Sequence, residues 1–263
     1  TSSPPPPQYK LENYDSRFNL LNIFYEGKNI NSKVTAFERP CYIPKTCLEI
    51  KPMIPKLKIF EGKKILVIGG SRGIGAAFAR VSSLLGANIT ITYHTSKNEA
   101  KNVCKDIQKN SKLPAKSFAL DVNSRKSVEL IKNNYDYLCY FPSNKIFGKI
   151  GDRWDLKRFE GFYNIYCKAF EDIAQKFIKN GGNKIYYPSS VVVEQDIKGL
   201  EEYKLAKIIG EKICESLNQR FNSIIIIDRL DRVETDQTLS VLKIPSVDAV
   251  QVAYNISKKL CGS

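Results

Sequence analysis

The sequence predicts an α/β fold with a doubly wound parallel sheet, because short apolar segments alternate with amphipathic helical segments from residue 63 onward. The first apolar segment, 64–68, leads through a glycine-rich turn into a helical pattern. Strands separated by helices of this length are typical of a parallel sheet covered on both faces. The chain has 263 residues, of which 43% are hydrophobic, and this suffices for one main domain.

The predicted strands and helices alternate in order along the chain. Six strands are predicted, at 64–68, 88–93, 117–122, 135–141, 184–187 and 223–228. Helices are predicted between and after them, at 74–85, 98–110, 125–134, 156–180, 201–218 and 247–260. Two glycines at 181 and 182 are expected to end the longest helix.

The first 59 residues differ from the rest of the chain. We interpret residues 1–59 as a proline-rich arm or the remnant of another domain, and residues 60–263 as the α/β domain. The run Pro4–Pro7 is expected to be extended and solvated, and further prolines discourage a long helix. The stretch Leu20–Phe37 is apolar enough to pack against another element.

The charge balance and the cysteines limit the classes of function that the sequence allows. Lys and Arg number 41 against 27 Asp and Glu, and the net charge of +14 suggests an acidic or phosphate-bearing partner. Nucleic acid is not expected, because no binding module is recognised and the lysines are scattered over helix faces. Seven cysteines without a CxxC pair indicate free thiols in a reducing, cytoplasmic location. The single histidine, His94, argues against mixed zinc sites, and no apolar segment is long enough to span a membrane.

A glycine-rich turn joins the first strand to the first helix and predicts a dinucleotide site. Gly69 permits the tight turn, Gly73 lets the backbone approach a pyrophosphate, and Gly75 allows close helix packing. The free N–H groups of the helix N-terminus favour an anion there. The alternative is a flexible loop that binds nothing. The predicted cofactor contacts of this Rossmann-type turn are Gly69, Ser71, Arg72, Gly73, Ile74 and Gly75.

The residues after the second strand favour NADP over NAD. NAD-preferring folds usually place an acidic residue there for the ribose 2′-OH, but no carboxylate occurs before Glu99. A 2′-phosphate would instead meet Arg72, His94, Thr95 or Lys97. The alternative for His94 is an exposed histidine without a function.

Five features of the sequence together resemble the short-chain dehydrogenase/reductase family. GGSRGIG at 69–75 matches its cofactor loop, and Tyr203 with Lys207 matches its YxxxK motif. Ser190 lies thirteen residues before Tyr203, the usual interval for the family's serine. Two further segments complete the resemblance over residues 62–240: Asp121 and Val122, which would contact the adenine, and Val233 to Asp236, which would place Val233 and Thr235 beside the nicotinamide.

The resemblance implies a carbonyl reduction with three catalytic residues. Tyr203 and Lys207 are four residues apart on one helix face, where the ammonium is expected to lower the pKa of the phenol. Tyr203 would protonate the carbonyl oxygen, Ser190 would hold it, and Lys207 would also hold the nicotinamide ribose. Alternatively, Tyr203 is a packing residue and Lys207 a solvated one.

Several positions depart from the family pattern. Tyr140 to Ser143 replaces its Asn-Asn-Ala-Gly run, so the loop beneath the nicotinamide is expected to be built differently. The family's fourth-helix asparagine would fall at Phe162, and Asn164 lies two residues away. The C-terminal part is short for the usual substrate lid and seventh strand. Residues 47–60 are therefore the expected source of any further strand.

A narrower resemblance concerns the reductase half of bacterial proteins in which a hot-dog dehydratase-like domain precedes a short-chain reductase. The segments Tyr140–Phe147, Tyr187–Val193 and Arg229–Thr238 carry it. The resemblance implies that residues 17–40 are the tail of a hot-dog domain, that the substrate is carried as an acyl thioester, and that an acyl carrier protein is a candidate partner. The family also commonly forms homo-oligomers.

Two functions follow from these observations. The first is an NADPH-dependent ketoreductase acting on a small-molecule or carrier-bound carbonyl, including β-ketoacyl thioesters. The alternative is a degenerate, non-catalytic module that serves as a cofactor-binding scaffold in a larger synthase. The departures at 140–143 and at Phe162 motivate the alternative.

Overall fold

The computed structural model describes residues 8–27, 30–38, 40–131, 134–147, 153–222, 224–240 and 244–262. The chain divides into two compact units. The N-terminal unit comprises Thr1–Ile43 with Thr238–Pro245, and the α/β unit comprises Pro44–Gln237 with Ser246–Ser263. All seven cysteines are free thiols. Within the described residues, no helix has the length and apolar character needed to cross a membrane.

The α/β unit contains a six-stranded parallel sheet, which confirms the predicted fold class. Its strands are β4 (Lys64–Ile68), β5 (Asn88–Tyr93), β6 (Ala115–Ala119), β7 (Tyr137–Tyr140), β8 (Lys184–Ser190) and β9 (Ile224–Leu230), in the spatial order β6-β5-β4-β7-β8-β9. The order reverses between β4 and β7. In open sheets of this kind, ligands bind at the carboxyl ends of the strands beside that reversal.

Helices cover both faces of this sheet. Its helices are α1 (Cys47–Ile50), α2 (Gly73–Leu84), α3 (Lys97–Asn110), α4 (Arg125–Glu129), α5 (Leu156–Tyr163), α6 (Phe170–Lys179), α7 (Glu201–Phe221) and α8 (Ala249–Cys261). One buried apolar cluster joins α2, α3 and α8 to the sheet, and a second joins α5, α6 and α7 to it. Short 3₁₀ turns lie at Lys51–Met53 and Val191–Glu194.

The long helix predicted at 156–180 is present but is not uniformly α-helical. A π-helical segment, Asn164–Ala169, separates α5 from α6. Two buried tyrosine hydroxyls donate to carbonyls inside it, from Tyr140 to Ile165 at 2.7 Å and from Tyr187 to Tyr166 at 3.0 Å. These tertiary hydrogen bonds are the physical reason that sequence periodicity did not reveal the segment.

The N-terminal unit contains a three-stranded antiparallel sheet in the segment interpreted as a proline-rich arm or a domain remnant. Its strands are β1 (Gln8–Asp15), β2 (Leu20–Gly27) and β3 (Ile30–Phe37), paired in chain order. The residues Pro4–Pro7 lie outside the described part of the chain. The sheet places Leu21, Ile23 and Tyr25 on one face, because they alternate along β2.

The boundary predicted after residue 59 differs from the division in the structure. Residues 44–59 belong to the α/β unit. The described residues 47–60 contribute no strand to the sheet, contrary to expectation, and form α1 and a 3₁₀ turn. The reason is local, because Thr46 and Glu49 form a capping box that starts a helix. Cys47 is fully buried there, and its N–H donates to Asp106.

Candidate active site

The glycine turn between β4 and α2 is shaped by close backbone contacts. Gly69 has a φ of +74°, and a Cβ there would lie 2.9 Å from the backbone nitrogen of Pro142. A Cβ on Gly75 would lie 2.4 Å from the carbonyl oxygen of Gly69. Only glycine fits these two positions. The Gly69 N–H donates to Thr92 Oγ1 at 3.1 Å, which ties the turn to β5.

The start of α2 presents groups that suit a phosphate. Gly73, the first residue of α2, has a φ of +56°, and no side chain caps the helix at Arg72. The first N–H groups of a helix lack internal partners and carry positive potential. A Cβ on Gly73 would be 3.7 Å from both Thr235 and Asp236. The turn therefore offers a backbone surface that fits a pyrophosphate.

The segment after β9 lies against this turn. Val233 and Thr235 are buried, and Val233 forms a bridge with Val247. Arg72 pairs with Asp236 at 3.3 Å, and both side chains are partly exposed. The structure thus brings the residues predicted to lie beside the nicotinamide next to the predicted pyrophosphate loop.

The residues predicted for the adenosine end lie after β5 and β6. His94 and Lys97 are exposed, and Lys97 is the first residue of α3. Asp121 and Val122 are half-buried, and the Asp121 N–H donates to Ser127 Oγ at 2.9 Å. All four follow the carboxyl ends of their strands, on the edge where Arg72 also lies.

Ser190 and Tyr203 come together at the same edge. Ser190 is the last residue of β8, and Tyr203 lies in the first turn of α7. Burial raises the pKa of Tyr203 to about 12, and a hydrogen bond with Ser190 offsets part of that rise. The expectation that Lys207 lowers this pKa is not met, because the Lys207 Nζ lies 5.8 Å from the ring centroid of Tyr203 and donates to the Pro188 carbonyl.

Lys207 is a buried cation surrounded by aromatic rings rather than a solvated lysine. Its Nζ lies 3.9 Å from the ring centroid of Tyr166 and 5.1 Å from that of Tyr187. The hydrogen bond to the Pro188 carbonyl is 2.6 Å long. Burial lowers the pKa of Lys207 to about 7. Burial therefore disfavours the charged form of this amine.

The place of the family's asparagine is aromatic. Phe162 is fully buried, packs edge-to-face on Tyr203 at 5.5 Å and stacks on Tyr166 at 5.9 Å. Asn164 is exposed and does not substitute for the asparagine. The Tyr166 hydroxyl is 2.7 Å from Ser143 Oγ in the loop after β7.

Sequence reasoning missed Tyr166 and Ser143. Tyr166 lies four residues after Phe162, so helical spacing alone placed it on the same face as the missing asparagine. In the sequence, Ser143 stands out only as part of the altered loop at 140–143. Neither observation predicts the contact between Tyr166 and Ser143, since 23 positions separate these residues.

Two ionic networks hold the elements that carry Ser190 and Tyr203. Glu211 accepts from Ser189 at 2.5 Å and from Arg229 at 2.6 Å, which fixes the end of β8 against α7. Burial tends to raise the pKa of Glu211, but the hydrogen bonds from Arg229 and Ser189 lower it overall. Beside Tyr203, the wholly buried Glu202 pairs with Arg158 of α5 at 3.3 Å.

The chain is similar to short-chain dehydrogenases in part of its sequence and in fold. Residues 63–136 match the family model described as short chain dehydrogenase. The L-rhamnose 1-dehydrogenase (NADP(+)) of Thermoplasma acidophilum is 33% identical over 119 residues, which are 43% of this chain and 42% of that protein. The chain spans between 18% and 52% of the length of five curated relatives that it matches.

Solved structures share the fold over about three quarters of the chain. A short chain dehydrogenase from Burkholderia cenocepacia J2315 in complex with NADP superimposes with a TM-score of 0.65 at 22% identity, covering 76% of this chain and 90% of that one. Landomycin C-6 ketoreductase LanV with bound NADP and rabelomycin gives a TM-score of 0.67 at 20% identity, covering 78% and 91%. The family match over residues 63–136 and the shared fold support the short-chain dehydrogenase/reductase family to which the motifs pointed.

Proposed function

We propose that this chain is an NADP-dependent oxidoreductase that reduces a carbonyl compound, with Tyr203 as the proton donor. The observation that carries this proposal is that Ser190, at the end of β8, and Tyr203, in the first turn of α7, meet at the carboxyl edge of the sheet, where Ser190 lowers the pKa of Tyr203. A carbonyl oxygen placed between the two hydroxyls would accept a hydrogen bond from each. The glycine turn that would hold a dinucleotide belongs to the same compact unit.

The residues at the glycine turn fit NADP. The uncapped start of α2 suits the pyrophosphate, and Arg72, His94 and Lys97 supply positive or hydrogen-bonding groups for a 2′-phosphate. Lys207 would hold the nicotinamide ribose, and Asp121 would contact the adenine. The names of the rhamnose dehydrogenase and of the Burkholderia and LanV structures include NADP, which supports this choice. When bound, NADPH supplies the hydride that reaches the carbonyl carbon.

The protein's own residues supply the proton and the orientation. Because burial raises the pKa of Tyr203 to about 12, its hydroxyl carries a proton at neutral pH and can give it to the carbonyl oxygen. Ser190 Oγ accepts from the Val192 N–H, which leaves its own proton free to hold the substrate oxygen.

We further propose a β-ketoacyl thioester on an acyl carrier protein as the substrate. The narrower resemblance at 140–147, 187–193 and 229–238 supports it, as does an antiparallel sheet in the region interpreted as a hot-dog tail. Four exposed lysines recur every four residues along α3, at Lys97, Lys101, Lys105 and Lys109. Such a row repels itself and suits an acidic partner. Assembly of several copies and a reducing, cytoplasmic location, which the free cysteines favour, belong to the same proposal.

The test is NADPH oxidation with β-ketoacyl thioesters, compared with a panel of simple ketones and with NADH. Tyr203→Phe is expected to bind NADPH like the parent and to lose at least about 100-fold in kcat, the usual worth of a positioned proton donor. Matching thermal unfolding of the two proteins controls for misfolding. Equal rates in the parent and Tyr203→Phe would exclude Tyr203 as the donor.

A second candidate is a cofactor-binding scaffold without turnover. Two observations favour it: Phe162 fills the place of the family's asparagine, and Lys207 donates to the Pro188 carbonyl. Titration of NADPH fluorescence separates the candidates. Tight binding with no turnover on any carbonyl favours the scaffold, whereas turnover with any carbonyl excludes it.

A further inference from the structure

The ammonium of Lys207 rests on the ring of Tyr166. Its Nζ is 3.9 Å from that ring centroid, a distance at which an aromatic face attracts a cation. Its hydrogen-bond acceptor is the Pro188 carbonyl. The carboxylate of Glu211, four residues further along α7, is engaged by Arg229 and Ser189 instead.

Tyr166 is itself held at both ends. Ser143 Oγ donates to the Asn144 carbonyl at 2.9 Å and lies 2.7 Å from the Tyr166 hydroxyl. Since a serine hydroxyl has one proton, Tyr166 is the donor to Ser143. At the other end, the Tyr166 carbonyl accepts from the Tyr187 hydroxyl at 3.0 Å. The ring therefore has a fixed orientation beneath Lys207.

The neighbouring helix leaves room for this arrangement. A Cβ on Gly210 of α7 would lie 1.9 Å from the Tyr187 hydroxyl, so only glycine lets that hydroxyl reach the Tyr166 carbonyl. A second tyrosine, Tyr140, donates to the adjacent Ile165 carbonyl at 2.7 Å. Together these bonds stabilise the π-helical segment that presents Tyr166 to Lys207.

We propose that Tyr166 is a positioning residue whose ring supports the Lys207 ammonium and keeps it charged inside the protein. The proposal deepens the proposed reductase function and rests on it for its catalytic meaning, because Lys207 would hold the nicotinamide ribose there. Tyr166 occupies the helix face on which the family's asparagine is missing.

The groups that face Lys207 determine how a substitution at Tyr166 changes the pKa of Lys207. They are Tyr166 and Cys167 of the π-helical segment, Tyr187 and the Pro188 carbonyl of β8, and Tyr203, Glu211 and Cys214 of α7. Burial opposes the charge and lowers the pKa of Lys207 to about 7. Removing the Tyr166 ring takes away an attraction for the ammonium and leaves the burial, so the pKa falls further.

The test is an NMR titration of the lysine side-chain ¹³Cε signals in the full chain, with Lys207→Met to assign the signal. Tyr166→Leu removes the ring, Tyr166→Phe keeps it, and Phe177→Leu removes a comparably buried ring from α6. We expect Tyr166→Leu to lower the Lys207 midpoint by about one pH unit, a tenfold change in its protonation constant. Tyr166→Phe and Phe177→Leu are expected to leave the midpoint unchanged.

The rate profile gives a second readout. If the protein reduces a carbonyl, the alkaline limb of kcat/KM should move down with the NMR midpoint in Tyr166→Leu and return in Tyr166→Phe. A shifted NMR midpoint without turnover in any variant would leave the Tyr166 contact established and would reject the reductase function. The Tyr166 proposal and the proposed reductase function can therefore be rejected independently of each other.

Equal Lys207 midpoints in Tyr166→Leu and Tyr166→Phe would overturn the proposal. If Tyr166→Leu does not fold, phenylalanine, 4-fluorophenylalanine and 3,4,5-trifluorophenylalanine at position 166 replace it, because fluorine withdraws electron density from the ring face at nearly constant shape. The Lys207 midpoint should then fall stepwise with fluorine number. A flat series would equally overturn the proposal.

Discussion

The glycine turn and the surroundings of Lys207 belong to one compact unit but are built in different ways. The turn is a backbone structure, in which Gly69 and Gly75 touch main-chain atoms and the charged Arg72 remains half exposed. Around Lys207 the cation is enclosed by side chains, with the ring of Tyr166 nearest, and it donates to the backbone carbonyl of Pro188. The first region leaves the N–H groups at the start of α2 available to a ligand, whereas in the second region the polar groups are hydrogen-bonded within the protein.

This difference has consequences for how each region tolerates change. In the turn, a single methyl group collides with the backbone, so substitution should act on ligand binding at once. Around Lys207 a buried charge is opposed by its surroundings, so substitution should act on protonation and stability. Predictions that separate these two effects test whether the comparison is right.

The largest effect is expected from Gly75→Ala in the turn. The added Cβ would lie 2.4 Å from the Gly69 carbonyl oxygen, which forces the turn and the start of α2 apart. We expect NADPH to bind at least about 100-fold more weakly, the equivalent of losing one or two hydrogen bonds to a charged group. Titration of NADPH fluorescence measures this affinity.

Gly62→Ala is the matched control. Gly62 has a φ of +73° but nothing lies within 4 Å of its Cβ position. Gly62→Ala should lower the free energy of unfolding by about 1 kcal/mol through backbone strain and leave the NADPH affinity unchanged. An equal loss of affinity in both variants would show that the turn has no special role.

The next largest effect is expected from Arg72→Ala. Arg72 is partly exposed and pairs with Asp236, so a 2′-phosphate can compete for its guanidinium. Loss of a charged hydrogen bond of about 1.5–3 kcal/mol should weaken NADPH by about 10-fold to 100-fold and leave NADH nearly unchanged. Parallel titrations with the two cofactors measure the ratio. A uniform loss for both would place Arg72 at the pyrophosphate instead.

The backbone part of the site could be predicted from the sequence, and the side-chain part could not. Gly69, Gly73 and Gly75 were readable because a strand, a tight turn and a helix start impose glycine at fixed spacing. The six-stranded sheet was readable for a similar reason, since buried parallel strands have a distinct apolar pattern. The contact between Tyr166 and Ser143 depends on tertiary packing across 23 positions, for which no local rule exists.

In the N-terminal region, by contrast, the relevant sequence signals are local. Leu21, Ile23 and Tyr25 alternate with period two, a strand signal that the prolines elsewhere in residues 1–59 obscured. The Thr46–Glu49 capping box was also a local signal, and it accounts for the helix where a strand was expected. In both places the information was local, but composition over the whole segment outweighed it.

The buried Lys207 predicts that the free energy of unfolding depends on pH. The pKa of Lys207 is lowered to about 7, below its value in the unfolded chain, so above pH 7 the unfolded state binds more protons. Stability should therefore rise with pH between about 7 and 8.5, by about 1–2 kcal/mol in total. Urea unfolding at the two pH values measures it. Lys207→Met should abolish the rise, and a rise of the same size in this variant would assign it to other groups.

The smallest effect is expected at the lysine row of α3, which belongs to neither region. Lys101 is exposed, and Lys101→Glu reverses one charge in a row that suits an acidic carrier protein. The KM for a carrier-bound β-ketoacyl thioester should rise about threefold at low salt, with less change at high salt, because an exposed charge contributes at most about 1 kcal/mol. The KM for the same acyl group on a small thiol should not change, since the row would recognise the carrier rather than the acyl chain. Lys258→Glu, a charge reversal at an exposed residue of α8, is the control for net charge. A similar rise with Lys258→Glu would mean that overall charge, and not the row on α3, attracts the carrier.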